Sequence, residues 1–277
     1  MRKYSQMRWN LIPIYVILVI TSTLVIAPLV LTVFAALKSP EQFLYEPWIP
    51  PRPPVFQNFM SAWYKARFNI YFKNSVIIST IDALLMIFIA SMAAYAFAFI
   101  PFLGSNLLLP LFLAGLMVPV PALILPLYAI MNSFNLINTY FGVILADLSL
   151  ALPFFIFIIR AYFLSIPSEL RDAARVDGAS EFRIFWSVMF PLARPVVITT
   201  ALLEFLWSWN DLLLRLVFLT KDSLRTLTVG LLFFQGLHTH DVGGNAAAAL
   251  ILAGPVIILF LIFQRQFIYG LTRGAIK

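Results

Sequence analysis

The chain has 277 residues, of which 62% are hydrophobic and only 11% charged, and it carries a formal net charge of +7. Soluble domains are about 25% charged, so this composition excludes a water-exposed globule and points to a lipid bilayer. The surplus of Lys and Arg does not indicate nucleic acid, because no basic run is long enough to track a phosphate backbone. With no cysteine, disulfides, thiolate metal sites and cysteine nucleophiles are excluded.

A hydrocarbon core about 30 Å thick needs roughly 20 apolar residues of helix. Six stretches meet that need, at 11–37, 74–100, 106–131, 141–164, 196–220 and 246–268. The expectation is an all-α membrane protein with six transmembrane helices, built as a single domain over 1–277 without internal repeats. Arg2, Lys3 and Arg8 precede the first stretch as they would in a signal peptide. Its apolar run is far longer than a signal's core of roughly 7 to 15 residues, so it reads as a retained anchor.

Next, the segment 38–73 contains PWIPPRPP (47–54), an extended, proline-stiffened stretch. Trp63, Tyr64, Phe68 and Tyr71 follow it and suit a belt at the lipid headgroups. The connections 101–105 and 132–140 carry no charge and read as tight turns. In the third stretch Pro119, Pro121 and Pro126 predict a broken helix, which membranes tolerate where it lines a cavity or is buried in protein. With the N-terminus in the cytoplasm, eleven Lys/Arg fall inside and eight outside, which favours cytoplasmic termini at both ends.

Between the fourth and fifth stretches, on the cytoplasmic side, the loop 165–195 gathers Glu169, Arg171, Asp172, Arg175, Asp177, Glu181 and Arg183 within fifteen residues. Pro167 and Ser168 predict a helix start with Ser168 as the cap and with Glu169 and Asp172 in a first turn where negative charge suits the helix dipole. Gly178 ends it. Leu170, Ala173 and Ala174 share one narrow face of small side chains while Arg171, Asp172 and Arg175 point elsewhere. Two readings stand: a solvated loop helix, or a docking helix whose small face admits a partner. Beyond the glycine, Phe182, Phe185, Trp186 and Met189 form a second stripe that rests on the spans until Pro191 and Pro195.

The stretch IPSELRDAARVDGASEFRIFWSVMFPLARP resembles the signature loop of permease subunits of binding-protein-dependent ABC importers. Asp172, Ala173, Ala174, Asp177, Gly178, Ala179 and Pro191 match it, with Asp172 standing where that family usually has Glu. Similarity to the carbohydrate-uptake branch, in its maltose-permease type, extends along nearly the whole chain. It is carried by Asn58-Phe59, Asn74-Ser75, Ala93 to Phe97, Pro126-Leu127-Tyr128, Asn138-Thr139, Trp209-Asn210-Asp211 and the tail GLTRGAIK. Arg215 takes a place where the branch commonly has Pro, so the local helix geometry there does not carry over.

The resemblance implies a type I importer permease fold in a prokaryotic plasma or inner membrane. It also implies a coupling helix formed by Glu169, Leu170, Asp172, Ala173, Ala174, Asp177, Gly178 and Ala179, seated in an ATPase subunit. The implied partners are a second permease, two ABC ATPases that bind the ATP and Mg, an extracytoplasmic solute-binding protein and a sugar. This chain has no G-x-x-x-x-G-K-[ST] loop and is expected to carry no cofactor and no enzyme activity of its own. The same architecture importing another solute, such as a glycerol phosphate or a polyamine, is the alternative.

Ionisable groups at bilayer depth are costly and mark a pathway or a pair. Asp82 and Asp147 read as lying near span ends, in interfacial or transport roles. Glu204 and Asp211 share a face at i, i+7, and Arg215, four residues beyond Asp211, pairs with it. Pro126, Trp207, Trp209, Asn210 and Asp211 are the candidate substrate path, since a sugar stacks its apolar face on aromatic rings and needs hydrogen bonds for its hydroxyls. Ordinary packing of the aromatics is the competing reading. His238, His240 and Asp241 fall in an outside loop and read as a solvated turn rather than metal ligands.

Overall fold

The computed structural model describes residues 11–237 and 241–275. Arg2, Lys3, Arg8, His238, His240 and Lys277 lie outside them, as do the side chains of the tail signature from Gly270 onward. Every described element is a helix. The chain divides into two compact units, Met1–Asn69 with Leu231–Gly254, and Ile70–Gly230 with Pro255–Lys277. Four helices are long and apolar enough to cross a membrane, and two bent helix pairs bring the count to six if each pair is one span.

The first unit begins with α1 (Ile12–Ala36), which is apolar on all sides and exposed along most of its length, as a lipid-facing helix is. Lys38 follows it. Its ammonium is buried and donates to the carbonyls of Glu46 and Pro47 at 2.6 and 2.9 Å. It therefore ties down the hairpin containing α2 (Pro40–Tyr45), which starts on a capping box formed by Ser39 and Gln42. Asn58, in α3 (Gln57–Met60), donates to the carbonyls of Ala36 and Lys38 at 3.0 and 2.9 Å. The Asn58 signature thus satisfies orphan carbonyls at the end of α1. Of the residues expected at the lipid headgroups, Tyr64 is exposed, but Phe68 is buried edge-on to Phe234 at 5.9 Å.

In the second unit, α4 (Phe68–Phe99) leads to α5 (Ser105–Gly115) and α6 (Val120–Ser133), which meet at 107°. The bend falls ahead of Pro119, which caps α6 in extended geometry. Pro121 occupies the first turn, where its missing N–H is no loss, and Pro126 remains inside α6 without ending it. Then α7 (Tyr140–Phe163) begins on Thr139, whose hydroxyl accepts from Gly142 N at 3.0 Å. Asn135 and Asn138 turn the chain before it at φ 56° and 61°, a region Asn tolerates better than most residues.

The charged loop carries α8 (Ser168–Val176), α9 (Glu181–Ile184), a π-helical turn (Phe185–Met189) and α10 (Phe190–Leu192). It turns by 79° into α11 (Arg194–Asn210), and after a break comes α12 (Leu213–Phe218). Next are a 3₁₀ turn (Asp222–Leu224), α13 (Leu227–Leu237) and α14 (Val242–Ala275). The core of this unit joins Met86, Ala90 and Ala94 of α4 to Phe155 and Ile159 of α7 and to Ile184 and Met189 of the loop. Tyr71 is buried here, its hydroxyl donating to Asp222 at 2.6 Å, instead of joining a headgroup belt. Asn74 donates to the carbonyls of Ser223 and Arg225 at 3.0 and 2.8 Å, and Ser75 Oγ accepts from Leu227 N at 2.9 Å. That signature pair is therefore a brace for the turn before α13.

Candidate inner-surface docking helix and buried charge cluster

α8 has nine residues and is about 13 Å long at 1.5 Å per residue. Pro167, not Ser168, is its cap, and no side chain closes the first turn. Proline there fixes φ, at −54°, while ψ 127° keeps the residue extended ahead of the first turn. At the other end Gly178, at φ 80°, lets the chain reverse, and Ala179 N donates back to Ala174 O at 3.0 Å.

The charged island is largely a clasp. Arg171 is buried rather than turned outward; it donates to Phe99 O at 3.0 Å and to both Glu181 oxygens at 3.2 and 3.3 Å. Its guanidinium also lies 5.2 Å from the Phe99 ring centre. Arg175 Nε donates to Glu181 Oε1 at 2.8 Å, and the Tyr95 hydroxyl donates to Glu181 Oε2 at 2.6 Å. Nearby, Arg160 Nε donates to Phe97 O at 3.0 Å. Two arginines thus serve the carbonyls at the C-terminal end of α4, where the helix dipole favours cations. Burial pushes the Glu181 carboxyl up, but hydrogen bonds from Tyr95 and Arg175 and the charge and hydrogen bond of Arg171 outweigh it, leaving Glu181 below its ordinary value.

With Arg171 holding the inner side, Glu169, Leu170, Asp172, Ala173, Asp177 and Gly178 are exposed, and Val176 is 88% exposed. Ala174 and Ala179 pack against the core. The open stripe is therefore Leu170, Ala173 and Val176, not Leu170, Ala173 and Ala174. In the second stripe Phe185 and Met189 are buried, while Phe182 is 65% exposed and Ile184 takes the inward place. Pro191 lies within α10 and Pro195 within the first turn of α11, so the chain turns at Ala193 between them.

The candidate substrate path has mixed surroundings. Pro126 is exposed on α6, and Trp207 is 47% exposed against Phe154 and Phe155 at 5.0 and 5.4 Å. Trp209 is fully buried, stacked on Phe205 at 5.6 Å and edge-on to Phe72 at 5.9 Å, which is packing. Asn210 Nδ2 donates to Leu206 O at 2.7 Å and so finishes α11. Asp211 is extended (φ −65°, ψ 122°), and its carboxylate accepts from Leu213 N at 3.2 Å and Arg215 N at 3.3 Å, serving first-turn N–H groups of α12 from just ahead of its cap Leu212.

The pairing of Asp211 with Arg215 is present at 3.5 Å, but it belongs to a larger group. Arg215 is fully buried, with Nη2 lying 2.6 Å from Asp147 Oδ2 and 3.9 Å from Asp82 Oδ2. Nη2 also donates to Ser208 Oγ at 2.6 Å. Asp82 and Asp147 are buried partners in this cluster, not interfacial groups, and Glu204 is buried in it as well. Asp211 lies in the break after α11, so it does not share a helix face with Glu204 as expected; its closeness in sequence to Arg215 still exposes that pair, whereas contacts between helices have no such signal.

Residues 86–271 match the family described as binding-protein-dependent transport system inner membrane component. The chain is 36% identical over 250 residues to the probable ABC transporter permease protein YurM of Bacillus subtilis, covering 90% of this chain and 83% of that one. It is 33% identical to the diacetylchitobiose uptake system permease protein NgcG of Streptomyces coelicolor, over 95% of this chain and 88% of that protein. The fold matches a bacterial ABC transporter involved in import of the acidic polysaccharide alginate, with a TM-score of 0.84 at 22% identity over 94% of this chain and 97% of that chain. Fold, family match and relatives agree: the chain belongs to the inner-membrane permease components of binding-protein-dependent ABC transport systems.

Proposed function

We propose that this chain is one of two permease subunits of an ATP-driven importer that takes up a sugar delivered by an extracytoplasmic binding protein. α8 is its coupling helix, on the cytoplasmic side with both termini. It docks into one of two ATPase subunits, which bind ATP and Mg and do the hydrolysis. The observation that carries this reading is a short rod clasped to the end of α4 through Arg171 and Glu181 while Leu170, Ala173 and Val176 face outward. A helix held at its inner side transmits displacement as a rigid body. Closure of the ATPases then shifts the spans between inward and outward access through differential binding to the two states.

A neutral solute is supported by the charge inventory. Arg215, the cation among the described residues of α11 and α12 beyond Arg194, is already engaged by Asp147 and Asp211, so it offers no free guanidinium to a phosphate. The test is uptake by the assembled complex in vesicles with its binding protein, scored across neutral mono- and oligosaccharides, a glycerol phosphate and a polyamine. Saturable, ATP-dependent uptake of a neutral sugar is expected. Uptake of only the charged solutes overturns the sugar assignment, and uptake without ATPase subunits overturns the importer assignment.

A further inference from the structure

The buried cluster carries more negative than positive groups. Asp82 comes from α4, Asp147 from α7, Glu204 from α11, Asp211 from the break after it, and Arg215 from α12. These are the titratable groups that meet there, four carboxyls around one guanidinium. Asp82 and Arg215 are 0% exposed and Glu204 2%. Arg215 divides its short contacts between Asp147 at 2.6 Å and Asp211 at 3.5 Å, and Asp82 is left at 3.9 Å. Neither Asp82 oxygen receives a hydrogen bond from a nitrogen or hydroxyl donor, and neither does Glu204 Oε2. Beside them are other carboxyls: Asp82 faces Asp147, and Glu204 faces Asp82.

If all four were ionised, three negative charges would remain uncompensated, two of them on Asp82 and Glu204, which are sealed from solvent. The cost of burying even one bare carboxylate is so large that the group takes a counterion or a proton instead. Two carboxyls in contact repel as anions and attract only when one donates an O–H to the other. Among the described residues no set of side chains is arranged to hold a metal ion. The ligand that fits is the smallest cation.

We propose that this cluster is a proton-binding site, in which Asp82 and Glu204 are neutral acids that hydrogen-bond within the group while Asp147 and Asp211 remain carboxylates against Arg215. The groups are contributed by four helices and a break between two of them. A shift of α4 or α7 against α11 and α12 therefore alters which carboxyl faces which, and proton release or uptake accompanies it. The assignment stands on the chain's own side chains and does not depend on which solute is carried.

Infrared spectroscopy of the purified full-length protein in an ester-free detergent reads it directly, because a protonated carboxyl has a carbonyl stretch separate from carboxylate bands. At about pH 7, where exposed acids are ionised, wild type is expected to show this band. Asp82→Asn and Glu204→Gln each remove part of it, and the double variant removes it. A wild-type protein without the band, or a double variant that keeps it, overturns the proposal. Should Asp82→Asn fail to fold, the wild-type spectrum and Glu204→Gln still decide. Thermal unfolding is an independent readout. Acids neutral in the folded protein and ionised on unfolding make stability fall as pH rises. The unfolding midpoint of wild type therefore drops as pH rises from about 4, the ordinary carboxylate range, towards neutrality, more steeply than that of Glu204→Gln. Equal slopes count against protons on Glu204.

Discussion

At the scale of single residues, Gly178 and Glu181 shape the charged loop by different physics. A Cβ added at Gly178 meets nothing within 4 Å, so a substitution there is limited by backbone conformation alone. At φ 80°, an L-residue with a branched side chain costs about 1 to 2 kcal/mol, and Asn costs less. Gly178→Asn should therefore keep near-normal stability and coupling, and Gly178→Val should lower the thermal midpoint and uncouple ATP hydrolysis from uptake. Equal behaviour of the two would show that size, not φ, governs this position.

Glu181 is charged in the folded protein and accepts from Tyr95, Arg171 and Arg175. Replacing it with Ala leaves the buried Arg171 held by Phe99 O of α4 without its carboxylate partner and should destabilise by about 1.5 to 3 kcal/mol, the scale of hydrogen bonds to charged groups. The pH dependence follows from its lowered value. The stabilisation is present above the ordinary carboxylate range and is lost as pH falls through the folded value. Wild type should thus exceed Glu181→Gln in thermal stability at about pH 7 and lose that advantage on acidification below about pH 4. An advantage that persists in acid would mean the clasp does not rest on the Glu181 charge.

At the scale of elements, α8 separates two alanines that sequence spacing treats alike. Ala173 is exposed and Ala174 packs on the core, so a bulky side chain does different harm at each. Ala173→Trp should leave insertion and thermal stability unchanged while reducing copurification with the ATPase and ATP-driven uptake at least tenfold, a loss of about 1.4 kcal/mol or more in docking. Ala174→Trp should lower thermal stability by overpacking, typically about 1 to 3 kcal/mol. Normal coupling in Ala173→Trp would exclude the outer stripe from docking.

The length and glycine stop of α8 were legible because they are local, while its cap lies one residue earlier than expected, at Pro167. Which of its charges turns inward was not, since the acceptor for Arg171 is a carbonyl 72 residues away on α4. Proline shows the same limit. Pro119 marks a bend, whereas Pro28, Pro126 and Pro153 sit inside helices, and the residue type alone does not tell a broken ladder from a tolerated one. Of the candidate substrate path, Asp211 was correctly paired with Arg215, but the burial of Trp209 depends on Phe72 and Phe205, and only the latter is near in sequence.

At the scale of the whole molecule, the function rests on sidedness, because a coupling helix works only on the face where ATP is made available. The chain contains no cysteine, so a single introduced thiol reports one site without background. Val176 is 88% exposed at the end of α8, and Tyr45 is 80% exposed at the end of α2. The proposed orientation puts the first of these in the cytoplasm and the second outside. In intact cells a membrane-impermeant maleimide should label Tyr45→Cys and spare Val176→Cys, and in inside-out vesicles the pattern should reverse. Adding the ATPase subunits to such vesicles should then slow labelling of Val176→Cys, because a docked helix buries its open stripe, and leave a thiol elsewhere on the inner face unaffected. Labelling of Val176→Cys from outside intact cells would place α8 beyond reach of any cytoplasmic ATPase, and the clasp of Arg171 and Glu181 would have to be read as a structural brace alone.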